Sequence, residues 1–306
     1  MRDRKFSATD NFGEEQRQAR LAPLFALIFG NIVIAISPAF VRYADVGPIS
    51  SGFWRLALAV PFLFFIGRFS GFRISAIARS AIYLAALAGV IFGLDIICWH
   101  LGIFRTKLGN ATLFGNSASI LLVIYGVILS RKLPPPMQTI AVIGAFTGAA
   151  LLMAQSLELS ARNLTGDLLS LFAGLFYTFY LLIMIRLRAT TESWGALAMA
   201  SFFAAITLLI GALWAGEDIY PDIWWPLIAL AITSQIVGTG LMTYALPYFS
   251  HLVIGLTLLI QPALAALTGW IFFGENLTRL DIIGGLMVMA ALALVHFSEK
   301  NDKRFS

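Results

Sequence analysis

Charge is scarce in this sequence, and the scarcity excludes more than any motif does. Only 12% of the 306 residues are Asp, Glu, Lys or Arg, whereas 59% are hydrophobic. An ordinary soluble domain is nearer a quarter charged and half apolar. So few charges cannot cover a water-facing surface, and part of the solvent must be lipid. Cysteine occurs once, as Cys98 inside an apolar run. That excludes an intrachain disulfide framework and suits a small packing residue. The three histidines, His100, His251 and His296, stand apart and no acids cluster with them, so no metal site is indicated. No Gly-rich phosphate loop ends in Lys-Ser or Lys-Thr, so the chain encodes no ATP drive. Gly-x-Ser-x-Gly, His-Glu-x-x-His and a paired intramembrane acid are likewise missing, which argues against an intramembrane enzyme. No cofactor is expected. The net charge of +5 does not signal nucleic acid, because the basic residues are scattered through short loops and ends.

What the chain does contain is ten apolar segments, each near the ~20 residues that cross hydrocarbon as a helix. They fall at about 22–41, 51–69, 80–104, 109–129, 137–156, 165–186, 196–216, 224–249, 253–272 and 280–297. Turn-forming residues punctuate the breaks, at Asp45–Pro48, Ser70–Arg73, Pro134–Pro136, Asn163–Gly166, Tyr220–Asp222 and Asn276–Arg279. A membrane barrel would instead show short alternating segments. The expected fold is an all-α integral membrane protein with ten transmembrane helices.

Positive charge orients such a chain. Of the 21 Lys and Arg, 15 fall at the termini or in loops on the same side as the termini. The opposite loops hold Arg42, Arg105, Lys107, Arg162 and Arg279, and Arg55 lies within the second segment. Both termini are therefore expected in the cytoplasm, with residues 1–21 and 298–306 as polar tails, the first of them mobile. Trp194, Trp214, Trp224 and Trp225 lie near segment ends, where an aromatic belt would place them.

The ten segments divide into two sets of five, 22–156 and 165–297. A shift of 144 residues lays one set on the other without a gap. Gly30 then meets Gly174, Arg42 meets Arg186, Gly67 meets Gly211 and Leu133 meets Leu277. Residue identity between the sets is no better than chance, so the repeat rests on matching lengths and turns. Five crossings are an odd number, so the second copy must be inverted. Inverted repeats are the usual architecture of alternating-access transporters, with the site near the midplane between the halves. Small residues at Gly67 and Gly71, Gly89 and Gly93, Gly144 and Gly148, and Gly238 and Gly240 are expected to serve close helix packing.

Asp95 is the one acid well inside an apolar run, and an ionisable group at that depth usually has a partner or a substrate. At ~1.5 Å per residue it lies ~13 Å from the end of its helix, and Asn116 on the next helix lies ~10 Å from the same side. Asn31, Tyr177, Gln235 and Gln261 reach comparable depth, and His100 lies nearer the surface beside Trp99. These polar groups should face inward, because lipid cannot satisfy them. Ionised, Asp95 could attract a cationic or zwitterionic substrate, with Trp99, Tyr177 or Tyr244 offering aromatic faces. It could also load and release a proton, or form a salt bridge with Arg55 that only holds helices together. These alternatives stay open on the sequence. Pro262 removes a backbone bond inside the ninth segment and frees the carbonyl of Leu258, which marks a kink and a candidate hinge beside Gln261.

The segment Gly255–Leu294, GLTLLIQPALAALTGWIFFGENLTRLDIIGGLMVMAALAL, resembles the EamA-like branch of the drug/metabolite transporter superfamily. The likeness lies in Pro262 within the ninth helix, Gly274 and Glu275 closing it, the Leu277-Thr278 turn and Gly284 opening the tenth. Asn110–Met153 looks like the same unit in the first half, but with Ala118 in place of the proline and Arg131 in place of the acid. Arg55 and Leu56 resemble the family's pattern near the start of the second helix. The resemblance implies a secondary transporter in the bacterial inner membrane with a small-molecule substrate. It also implies a cavity lined by helices 1, 3, 4, 6, 8 and 9. Asp95, Asn31, Trp99, His100, Asn116, Tyr177, Gln235, Tyr244 and Gln261 are the candidate substrate-binding residues. Export of small metabolites such as amino acids is the leading expectation, and efflux of drugs or quaternary ammonium ions is the alternative. One chain could hold a complete site, so a monomer would suffice. The charge bias predicts that a reporter fused after Ser306 reads out in the cytoplasm and one inserted at residues 218–222 reads out on the far side; the reverse pattern would refute the orientation.

Overall fold

The computed structural model describes residues 7–106, 108–131, 134–154, 162–264, 267 and 278–302, and every regular element among them is helical. In hydrocarbon each backbone N–H and C=O needs a partner from its own segment, and a helix provides one. Six helices are long and apolar enough to cross a membrane: Leu21–Val41, Pro48–Phe69, Arg79–Arg105, Leu164–Arg188, Ser193–Ala215 and Trp225–Tyr248. They are spans one, two, three, six, seven and eight. Shorter apolar helices at Ser117–Ser130, Pro136–Leu151, His251–Leu264 and Ile282–Val295 belong to spans four, five, nine and ten. The protein is an all-α integral membrane protein of ten spans arranged as two inverted five-helix repeats. The first helix begins at Ser7, so the expected mobile tail is helical in its described part and runs straight into the first span. Residues 155–156 of the fifth segment lie outside the described residues, as do Gly274, Glu275 and Leu277 of the ninth and its following turn.

The packing between spans has the symmetry of the repeat. Spans two and seven pack together, as do four and nine, and five and ten; each pair is its own equivalent under exchange of the halves. Span three packs on span six, and its counterpart is span eight on span one. Span three on span seven is matched by span eight on span two. Every major contact thus joins one half to the other. Among the described residues, the core is built chiefly where the repeats meet.

Close approach at these contacts relies on missing side chains. A Cβ on Gly89 would stand 2.5 Å from the Ala200 carbonyl oxygen, and one on Gly148 would stand 2.6 Å from that of Gly284. Without a hydrophobic force between helices in lipid, such contacts carry the packing. Two of the expected packing glycines serve otherwise. A Cβ on Gly144 would meet nothing within 4 Å, and Gly71 takes φ +95° in the turn after span two.

On the side opposite the termini, two loops exchange caps. Glu217, after span seven, accepts from the backbone of Ile49 (3.2 Å) and Ser50 (2.8 Å) at the start of span two. Asp45, before span two, accepts from the backbone of Asp222 (2.8 Å) and Ile223 (2.9 Å) ahead of span eight. Trp54 Nε1 donates to the Ile219 carbonyl at 2.6 Å. A carboxylate on free N–H groups at a helix start satisfies donors that the helix cannot. Glu217→Ala should therefore lower stability by about 1–2 kcal/mol, read as a lower melting temperature of the purified protein in detergent.

Candidate functional site

The polar residues deep in the bundle gather around one cavity of about 110 Å³. It lies between the repeats, in the half of the bundle facing the Asp45 and Glu217 loops. Spans one, two, three, four, six, eight and nine all contribute to its wall. Six of these are the expected lining helices; span two is added through Arg55.

The backbone is irregular where it meets this space. The first span is interrupted at Ile36, between helices Ser7–Ala35 and Ser37–Tyr43. The fourth is interrupted at Asn116, between Leu108–Gly115 and Ser117–Ser130. The eighth carries a π-helical stretch from Ala231 to Thr239. The ninth is interrupted at Leu259, after the helix His251–Leu258. Broken helices at membrane depth are tolerated where they line a cavity, and π stretches often mark functional positions. The breaks in spans four and nine fall at nearly equivalent places in the two repeats, although only span nine has a proline. Pro262 accounts for the second through the carbonyl of Leu258. In span four, Asn116 does related work with its side chain: Nδ2 donates to the Thr112 carbonyl at 2.8 Å, beside the Asn116 backbone N–H on the same oxygen at 3.0 Å.

Of the candidate residues, Asp95, Trp99, Asn116, Tyr177 and Gln261 line the cavity. Asn31 stands behind Gln261: its Oδ1 accepts from Gln261 Nε2 at 2.9 Å, and its Nδ2 donates to the Leu27 carbonyl at 2.8 Å. Gln235 is fully buried and holds Arg55, accepting from Arg55 Nε at 3.2 Å and donating to Ser201 Oγ at 2.9 Å. Two expected site residues lie elsewhere. His100 fastens span three to span two, with Nδ1 at 2.7 Å from the Pro48 carbonyl and 3.1 Å from Ser51 Oγ. Tyr244 packs against Tyr248 at the other end of span eight, ring centroids 5.6 Å apart.

Arg55 also lines the cavity and is not among the candidate site residues. Its signal is visible in the sequence, since it is a lone cation within an apolar span, the same feature that draws attention to Asp95. The guanidinium lies over the Phe92 ring, 5.7 Å from its centroid. Phe92 in turn stacks on Tyr180 at 4.4 Å, and Tyr180 on Tyr177 at 5.9 Å. The Tyr177 hydroxyl donates to Met242 Sδ at 3.2 Å. Arg55 and Asp95 both line the cavity. Among the described residues, however, no direct ion pair joins them, so the purely structural salt bridge is not formed.

These features define a polytopic helical membrane protein with a small, charged, internal cavity between inverted repeats. The sequence profile of the EamA-like transporter family matches the chain twice, over residues 21–154 and 164–297. The chain belongs to that family, within the drug/metabolite transporter superfamily. It is similar to the threonine/homoserine exporter RhtA of Escherichia coli (strain K12), 28% identical over 264 residues that cover 82% of this chain and 84% of the relative. It is also similar to the pseudopaline exporter CntI of Pseudomonas aeruginosa (strain UCBPP-PA14), 22% identical over 251 residues that cover 79% of this chain and 84% of the relative. A solved structure, described only as the crystal structure of a protein, shares the fold with a TM-score of 0.72 at 13% identity, over 90% of this chain and 96% of its own.

Gln235 is buried and makes two side-chain bonds, to Arg55 and Ser201. Gln235→Leu should leave the Arg55 Nε without its acceptor and lower stability by about 1–3 kcal/mol, measured by thermal unfolding of the purified protein in detergent.

Proposed function

We propose that this chain is a secondary active exporter of small metabolites, amino acids foremost, working by alternating access around the cavity between its repeats. It sits in the cell inner membrane with both termini in the cytoplasm, and one chain suffices for a site. The observation that carries the reading is Asp95. It is 9% exposed and lines a cavity that seven spans converge on. A carboxyl kept in such a place needs a solute or a proton to answer it. The exporters among the relatives support the direction of transport and the small-metabolite class. Cavity size supports a small cargo as well, since about 110 Å³ falls well below the ~300 Å³ or more of sites for drug-sized molecules. With the termini inside, the cavity faces outward, and the partner state must open toward the cytoplasm. The breaks at Asn116 and Leu259, with Pro262 close behind, are where spans four and nine would bend between the two states.

The test is flux into liposomes holding the purified protein, using labelled amino acids and one aromatic cation, with and without a pH gradient. Saturable amino-acid flux is expected, reduced about tenfold or more by Asp95→Asn. A response to the gradient would reveal proton coupling. Unchanged flux in well-folded Asp95→Asn protein would refute the site, and flux of the cation alone would favour drug or quaternary-ammonium efflux.

A further inference from the structure

We propose that Arg55 and Asp95 form a two-point clamp for a zwitterion: Arg55 takes the carboxylate and Asp95 the ammonium of an α-amino acid with both groups free. This rests on the exporter reading and names the chemistry of its cargo. Both residues line the same cavity, and both are more than nine-tenths buried, at 8% and 9% exposure. Buried charges are normally paired and hydrogen-bonded, because leaving water is expensive. Here they are held short of that. Arg55 is anchored through Nε by Gln235 and seated on Phe92, so its guanidinium is fixed in place. Among the described residues, no hydrogen bond reaches its two Nη groups or the carboxylate oxygens of Asp95.

The consequence is a site whose empty state lacks bonds that one kind of ligand can supply. A carboxylate can take both Nη groups of a guanidinium in parallel, a geometry that Lys or an amide cannot offer. An ammonium group gives its protons to the opposing carboxylate. Arg55 and Asp95 cancel, a zwitterion adds no net charge, and so the loaded site stays neutral. A lone cation would answer Asp95 but meet Arg55 as a like charge, and a lone anion would meet Asp95. Neutral amides and sugars would leave both charges without a counter-ion. The clamp therefore selects by the two ends of the molecule, and the small cavity admits only a short side chain.

The test uses the full-length protein in detergent and labelled L-threonine. Displacement is followed with unlabelled L-threonine, its methyl ester, N-acetyl-L-threonine and tetraethylammonium. The first should displace label, and the other three should be weaker by about tenfold or more, since each lacks one charged end or both contacts. In Arg55→Gln protein, L-threonine should weaken by about tenfold or more, while the methyl ester, relieved of the like charge, should bind no more weakly than to the unaltered protein. If the ester competes as well as L-threonine on the unaltered protein, the clamp is overturned, and this needs no variant to fold. If no free amino acid binds while liposome flux of another solute is saturable, the clamp falls and the exporter reading stands. If no solute is moved at all, the exporter reading falls and takes the clamp with it.

Discussion

Hydrocarbon leaves no backbone polar group to the solvent, and the rest of this structure follows from that constraint. It makes the spans helical, and it also decides where helices are permitted to stop being regular. Ile36, Asn116, the Ala231–Thr239 stretch and Leu259 all interrupt their spans at the cavity wall or next to it. At these places freed carbonyls can turn to a side chain, to water or to a cargo. Among the described residues, spans two, three, five, six, seven and ten run unbroken. The irregularities and many of the buried polar side chains thus gather in the same polar part of the bundle.

The same constraint shapes the pairing of helices. Apolar surface gains nothing by leaving lipid for another apolar surface, so contact depends on fit and on a few hydrogen bonds. Gly89 against Ala200 and Gly148 against Gly284 show the fit. Arg55 with Gln235, and Gln261 with Asn31, show the bonds. All four cross from one repeat to the other. The site and the cohesion of the two halves therefore draw on the same side chains, which is why so many polar residues near the cavity support a neighbour rather than face the open space.

The architecture is legible in the sequence because its signal is additive: about twenty apolar residues announce a span whatever their order. The inversion follows from counting crossings. The site is legible only in part. Asp95 stands out by type and depth, but depth alone does not say which way a side chain points. His100 and Tyr244 have site-like chemistry, and their helices turn them toward Pro48 and Tyr248. Asn31 and Gln235 reach the right level and bond there to Gln261 and Arg55. The break at Asn116 carries no proline, and the π stretch of span eight has no composition that marks it. The first is marked by the local bond of the Asn116 side chain to the Thr112 carbonyl, which a hydropathy reading does not weigh. Arg55 meets the criterion that singles out Asp95, but a lone cation opposite a lone acid also reads as its structural counter-ion; among the described residues the guanidinium bonds to Gln235 and lies over Phe92 instead.

The pairing of span five with span ten also bears on how the chain is made. Span five, Pro136–Ala154, finds its main partner only in the helix Arg279–Asp302, more than a hundred residues later in synthesis. At about 5–20 residues per second, that is roughly ten seconds of waiting in the bilayer. During that interval lipid is its neighbour on faces that will later be protein. The span carries no charged residue from Pro136 to Ala154, so a helix destined for an interior contact is also one that the bilayer can hold alone until its partner arrives.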